Sequence, residues 1–151
     1  MSLASLIDAL KRLPLLADFE VEALRLLAFA APQVEFPRGE FLFRRGDRLD
    51  AGYYILSGTV RLSSDGADGK ARIVGAGALI GSRALLSDTD AGFDATAQEK
   101  AVAIKLPHVL FHRVLDEFPA SAAALKKTLI RDIDAFGKDL AKKREKLLAI
   151  R

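Results

Sequence analysis

The sequence predicts an α+β domain in which helices flank an antiparallel sandwich or barrel, and three observations carry that expectation. Apolar residues recur at helical spacing before Pro32 and again after Pro107. Between Val34 and Leu106 the character changes to short β-branched and aromatic runs. Within that stretch glycines return at intervals of about six to twelve residues, among them Gly39, Gly46, Gly52, Gly58, Gly75, Gly81 and Gly92, as turns between antiparallel strands require. At 151 residues, half of them apolar and 28% charged, the chain can bury one self-sufficient core and has no material for two comparable domains.

The elements follow in order. Leu3, Leu6, Ile7 and Leu10 take the i, i+3, i+4, i+7 positions of an amphipathic helix, which Leu13-Pro14 closes. Asp18 is placed to cap a second helix with Val21, Leu24, Leu27 and Ala28 on its apolar face, ending before Pro32. Strands are expected at 41–43, 53–56, 60–62, 72–74, 93–97 and 101–106. The segment from Gly81 to Leu86 breaks the rhythm, because Ser-Arg-Ala-Leu-Leu favours helix over strand. One helical turn therefore lies inside the barrel. Pro107 suits the first position of a helix carrying Leu110, Phe111, Val114 and Leu115, and Phe118-Pro119 stops it. Pro119 opens the last helix, whose apolar stripe is Leu125, Leu129, Ile133, Phe136 and Leu140, close to a coiled-coil seam. Residues 1–118 then form the domain, with 119–151 a long helix belonging to the same unit.

Several function classes are excluded or disfavoured. Without cysteine the chain can use neither a disulfide framework nor a cysteine-ligated zinc site, so a cytoplasmic location is expected. No apolar run approaches the roughly 18 residues of a membrane span, and the N-terminus reverses a signal peptide's order of charge and apolar core. The net charge of +3 is unevenly distributed: residues 126–151 hold nine Lys or Arg against four Asp or Glu. Asp132, Asp134, Asp139 and Glu145 are interleaved with the bases, which reads as a solvated helix flank more than a nucleic-acid surface. His108 and His112 have a metal-ligand spacing, but Val109 stands where a zinc protease needs glutamate and no third ligand is evident. Ser57 lies in Leu-Ser-Gly with no nucleophile elbow, and Gly75-Ala76-Gly77 lacks the further spaced glycine of a dinucleotide site. No enzyme is expected, and no metal.

The order of these parts resembles the cyclic nucleotide-binding domain family. Leu13-Pro14-Leu15-Leu16 leads in, Phe41-Leu42-Phe43-Arg44-Arg45-Gly46-Asp47 is similar to the family's phe-x-x-gly-asp turn, and Tyr53 to Leu62 is similar to its next hairpin. Gly77-Ala78-Leu79-Ile80-Gly81 and Ala84-Leu85-Leu86 continue the likeness over roughly residues 10–120. The resemblance implies an antiparallel β-roll of double-stranded β-helix or jelly-roll type, with N-terminal helices, a short cassette helix and a long C-terminal helix. It also implies a phosphate-binding cassette at Gly81, Ser82, Arg83 and Ala84, with Ala91, Gly92 and Phe93 on the following loop.

Two side chains of that cassette are missing. Ser82 stands where the family has a glutamate for the ribose 2′-hydroxyl, and Ala91 or Gly92 stands where it has the phosphate-binding arginine. Asp88, Asp90 and Asp94 would repel an anion if they faced the pocket. Losing one partner of a buried charge pair costs about 2–5 kcal/mol, enough to turn a micromolar site millimolar. The leading expectation is a stand-alone, degenerate regulatory or sensor module that does not bind cyclic AMP or cyclic GMP in the usual way and has no certain cofactor. Two alternatives stay open. One is a true binder of a cyclic nucleotide or other small anion, through backbone N–H groups of residues 82–84 and 92–93 plus Arg83. The other is a scaffold for an unidentified protein partner, with a vestigial pocket.

A homodimer is expected through Leu125, Leu129, Ile133, Phe136 and Leu140, because such a stripe must be buried somewhere. The first two could instead fold back on their own roll. Only 32 residues follow Pro119, which leaves no room for a helix-turn-helix, so direct DNA binding is not expected.

Overall fold

The computed structural model describes residues 2–64 and 71–129. Helix α1 (Leu3–Lys11) starts where the Ser2 hydroxyl accepts from the Ser5 N–H at 3.1 Å, and it buries Leu6, Ile7, Ala9 and Leu10. Helix α2 (Val21–Ala30) is not capped by Asp18, which is exposed in the preceding turn. The orphan N–H at its start is that of Glu20, and it is satisfied from far along the chain by the fully buried hydroxyl of Ser121, 2.9 Å away. The buried face of α2 is Ala23, Leu24, Leu27 and Ala28, while Val21 is left half-exposed.

The β region has ten strands among the described residues: β1 (Gln33–Phe36), β2 (Phe41–Phe43), β3 (Arg48–Leu49), β4 (Ala51–Ser57), β5 (Val60–Ser63), β6 (Ala71–Val74), β7 (Leu79–Ile80), β8 (Thr89–Asp90), β9 (Asp94–Ala97) and β10 (Ala101–Pro107). One sheet has the order β1-β10-β4-β7, the second β2-β9-β5-β6, and β3-β8 forms a small ribbon. All pairings are antiparallel. The expected helical turn is a 3₁₀ helix at Ser82–Leu85, entered through Gly81 at φ +72°. Helix α3 (His108–Glu117) follows β10 directly. Pro107 is thus not in the first helical turn. It closes β10 with an extended ψ of 143° and stands just outside the helix, one position earlier than expected. A further helix, α4, occupies 119–129 of the described chain, and no described helix is long and apolar enough to cross a membrane.

Two apolar clusters share β4 and β10 as a wall. Tyr54, Ile104 and Leu106 point toward α1, α2 and α3, where Leu10, Leu24, Leu27, Phe111 and Val114 meet them. Ile55, Ala101 and Ala103 point the other way, into the roll with Phe36, Phe43, Val60 and Ala95. Period-two alternation thus sends alternate residues of one strand into different cores. Leu125 joins the helix-side cluster at 4% exposure and Leu129 packs against it. Of the two burials open to these residues, the structure shows the one within the chain. Ile133, Phe136 and Leu140 lie outside the described residues.

Gly46 and Gly58 both turn with positive φ, at +91° and +83°, but their surroundings differ. A Cβ at Gly46 would meet nothing within 4 Å, whereas one at Gly58 would lie 2.2 Å from the Lys100 carbonyl oxygen. Gly46→Ala is expected to cost about 1–2 kcal/mol, the price of the left-handed backbone alone. Gly58→Ala should cost more than about 3 kcal/mol, because the backbone of the 57–60 turn or of residues 100–101 must shift as well. Urea unfolding of the two variants measures the difference, and equal losses would contradict the packing described here.

Candidate functional site

A cleft of about 340 Å³ opens beside the 3₁₀ turn. That is near the lower end of the size range for small-molecule sites. Leu49, Leu62, Leu79 and Ile80 supply apolar wall, Gly81, Ser82 and Arg83 one rim, and Thr89 to Phe93 the other. The turn is pinned from below by Ala84 and Leu85, both fully buried. It sits directly on β4: a Cβ at Gly52 would be 3.2 Å from Leu85 and 3.3 Å from the Gly81 carbonyl oxygen. Phe93 braces the opposite rim, its ring 5.4 Å from that of Phe43, which in turn lies 6.1 Å from Tyr53.

Of the cassette residues expected from sequence, Gly81, Ser82, Arg83, Ala91, Gly92 and Phe93 all line this cleft. Ala84 does not; its methyl belongs to the core of the roll. Its N–H is also spent, donating to the Gly81 carbonyl at 3.0 Å, so at the turn the N–H groups of Ser82 and Arg83 are the ones left to meet a ligand. The two candidate positions for the absent arginine are not equivalent. Ala91 is packed in the core at 4% exposure, whereas Gly92 is exposed with open space beyond its Cα.

The three acids sort differently from one another. Asp94 accepts from the Arg45 N–H at 2.6 Å and is tied to the turn after β2. Asp88 faces Arg48 at 3.9 Å and His108 at 3.1 Å, away from the cleft lining. Asp90 does line the cleft, and Arg48 lies 3.5 Å from it. The acid most able to repel an anion is therefore partly neutralised.

Sequence reasoning missed Arg72. It lies on β6 opposite Leu62 and lines the cleft with Arg83, and among the described residues neither arginine has an ion-pair partner. The signal was there in the alternation: Arg72 shares a strand face with Val74, which packs on the roll's core, while Ile73 between them is 54% exposed.

Among the described residues no three His, Asp or Glu side chains gather to hold an ion. The His108 ring nitrogen Nδ1 faces Asp88 and the Asp50 carbonyl, and the His112 ring nitrogen Nε2 faces the Leu86 carbonyl.

Comparison with known proteins agrees with this fold. A sequence profile described as the cyclic nucleotide-binding domain matches residues 33–118, which is more than half of the chain. The chain belongs to the cyclic nucleotide-binding domain family. Among solved structures, a cyclic nucleotide-binding-like protein from Brucella abortus is 35% identical, with TM-score 0.68 over 74% of this chain and 98% of that one. The N-terminal domain of a transcriptional regulator from Streptomyces coelicolor A3(2) is 28% identical, with TM-score 0.80 over 88% of this chain and 95% of that one. Lysophospholipase nte1 of Neurospora crassa is 30% identical over 111 residues, 72% of this chain but 7% of that protein. The cAMP-dependent protein kinase regulatory subunit of Emericella nidulans is 28% identical over 70% of this chain and 26% of its own length. The chain thus spans a small part of these two relatives, and the likeness is to one domain of each.

The aromatic wall yields a pH prediction. Burial first, and then the negative charge of Asp50, hold the Tyr53 phenol above its usual 10.0. Burial also raises Tyr54, against an opposing pull from Arg12. The folded chain keeps protons that the unfolded chain loses near pH 10. This contribution to stability is therefore whole below about pH 10 and is lost as pH rises through the higher folded-state values. With two tyrosines in the chain, the phenolate absorbance of native protein should rise with a midpoint above the free-tyrosine value. A native titration centred there would contradict the burial.

Proposed function

We propose that the chain is a regulatory sensor module whose cleft takes a small organic anion on Arg83, Arg72 and the N–H groups of Ser82 and Arg83, and does not hold cyclic AMP or cyclic GMP in the family's usual way. One observation carries the reading: the cleft is lined by the residues that the resemblance assigns to the cassette, and Ser82 and Gly92 stand at its rims where a ribose acceptor and a phosphate cation would be needed. A shape without those partners loses about 2–5 kcal/mol for each buried charge contact it lacks. Two arginines from other positions then supply the positive charge. The module regulates; catalysis is assigned to no group in it.

Thermal-shift and calorimetric titrations against cyclic AMP, cyclic GMP, citrate and inorganic phosphate test this. The expected result is no sub-micromolar binding of either cyclic nucleotide, together with stabilisation by an anion that is lost in Arg72→Ala and Arg83→Ala. Sub-micromolar binding of a cyclic mononucleotide would overturn the proposal, as would an anion response indifferent to both arginines. Restoring the missing chemistry gives a second test: Ser82→Glu with Gly92→Arg should improve cyclic-nucleotide affinity by about tenfold or more. Ala91→Arg should not, because that position is packed.

Two copies are proposed to pair through Ile133, Phe136 and Leu140, with Leu125 and Leu129 already engaged within each chain. Light scattering should report a dimer at tens of micromolar, and Phe136→Asp should convert it to a monomer. A monomeric parent protein would refute the pairing.

A further inference from the structure

Helix α3 is fastened to the loop after the 3₁₀ turn at two points. Nδ1 of His108 lies 3.1 Å from Asp88 Oδ1 and 3.1 Å from the Asp50 carbonyl oxygen. Both neighbours are acceptors, so that nitrogen carries a proton. One turn further along α3, Nε2 of His112 donates to the Leu86 carbonyl. Residues four apart share a helix face, so the two rings grip the 86–88 segment from one side. The His108 backbone N–H also donates to the Asp50 carbonyl, at 2.8 Å, which sets the start of α3 against the β3–β4 junction.

The second oxygen of Asp88 faces a guanidinium. Arg48 lies 3.9 Å from Asp88 Oδ2 through one terminal nitrogen and 3.5 Å from Asp90 Oδ1 through the other. Arg48 and Asp90 are direct cross-strand partners in the β3-β8 ribbon, and Asp90 lines the cleft. One guanidinium is therefore shared between a carboxylate on the cleft wall and the carboxylate that fastens α3.

We propose that Arg48 is the positioning residue through which the cleft acts on α3. A change of charge at Asp90 redistributes Arg48 between its two carboxylates, and the pull on Asp88 sets how firmly that residue holds His108. A hydroxyl of the bound anion that donates to Asp90 competes with Arg48, releases it toward Asp88 and loosens the His108 contact. Withdrawal of that group returns Arg48 to Asp90 and leaves Asp88 to His108. The use of such a coupling rests on the sensor reading above, but its geometry does not. It can be tested with no ligand at all.

The test reads two signals in the full chain: the ring N–H proton resonance of His108 by NMR, and amide exchange of residues 108–117 with β10 as internal reference. Asp90→Asn imitates the loss of charge on the cleft wall. It should shift the His108 resonance and speed α3 exchange by about two- to fivefold, the scale of an exposed ion pair. Arg48→Gln should remove that response, so that adding Asp90→Asn to it changes neither signal. This non-additivity is what a shared guanidinium predicts and what a merely structural surface pair would not show. Both side chains are largely exposed, so the variants leave the two cores intact. An unchanged His108 resonance in Asp90→Asn overturns the proposal. So does an equal response in the Arg48→Gln background, which would mean a direct electrostatic field. A negative anion screen would sink the ligand assignment and leave this result standing.

Discussion

The β4–β10 ladder is the constraint on which the rest of the molecule depends. Both strands are covered on both faces, with Ile55, Ala101 and Ala103 in the roll and Tyr54, Ile104 and Leu106 under the helices. Small residues at Ala101 and Ala103 let the roll's second sheet approach, while larger ones on the other face fill the gap to α1, α2 and α3. Ladder hydrogen bonds and two cores therefore fix one another. A register slip of one residue would exchange the two sets of side chains and ruin both at once. The cleft inherits that rigidity, because the 3₁₀ turn rests on Gly52 and Gly81 at the edge of β4.

How much of this was legible follows from how each signal is made. The strands with several buried residues, β2, β4, β9 and β10, and the helices with an apolar stripe announced themselves through periodicity. Strands β3, β7 and β8 have two residues each, too few to show any period, and exist because their neighbours supply partners. Strand β1 buries only Phe36 and pairs along the edge of β10, so it reads as polar loop. The start of α2 was misassigned because its N–H partner is Ser121, about a hundred residues away. A contact of that kind is invisible to local capping rules.

The candidate site divides along the same line. Residues on the turn and the next loop were found because the family's motif is contiguous there. Arg72 arrives from another strand, and its place on the cleft wall depends on β6 pairing with β5 in the register Leu62 to Arg72. Ala84 was assigned to the lining because it follows Arg83 in sequence. A 3₁₀ helix turns by a third of a revolution per residue, which carries that methyl from the rim to the core. The fold preserves the cavity for packing reasons that do not involve a ligand. Retention of shape is thus compatible with the proposed loss of cyclic-nucleotide chemistry at Ser82 and Gly92.

The helices limit what any signal from the cleft can move. Phe111 of α3 is fully buried and stacks on Phe19 with ring centroids 6.0 Å apart, and Ser121 of α4 holds the start of α2. Displacing α3 alone would open the cluster shared with Leu10, Leu24 and Leu27, at a cost of several kcal/mol for Phe111 by itself. The same cluster takes in Tyr54, Leu85, Ile104 and Leu106 of the roll, so apolar packing also holds the helices to β4 and β10. Pro107 sets the exit from the roll: its ψ of 143° ends β10 and its fixed φ of −65° aims α3. At the rim of that packing the contacts are polar and near the surface, at Asp88, His108, His112 and the Leu86 carbonyl. Exposed polar contacts of this kind are individually weak. They can therefore be exchanged without unfolding either core, which is what the proposed relay through Arg48 requires.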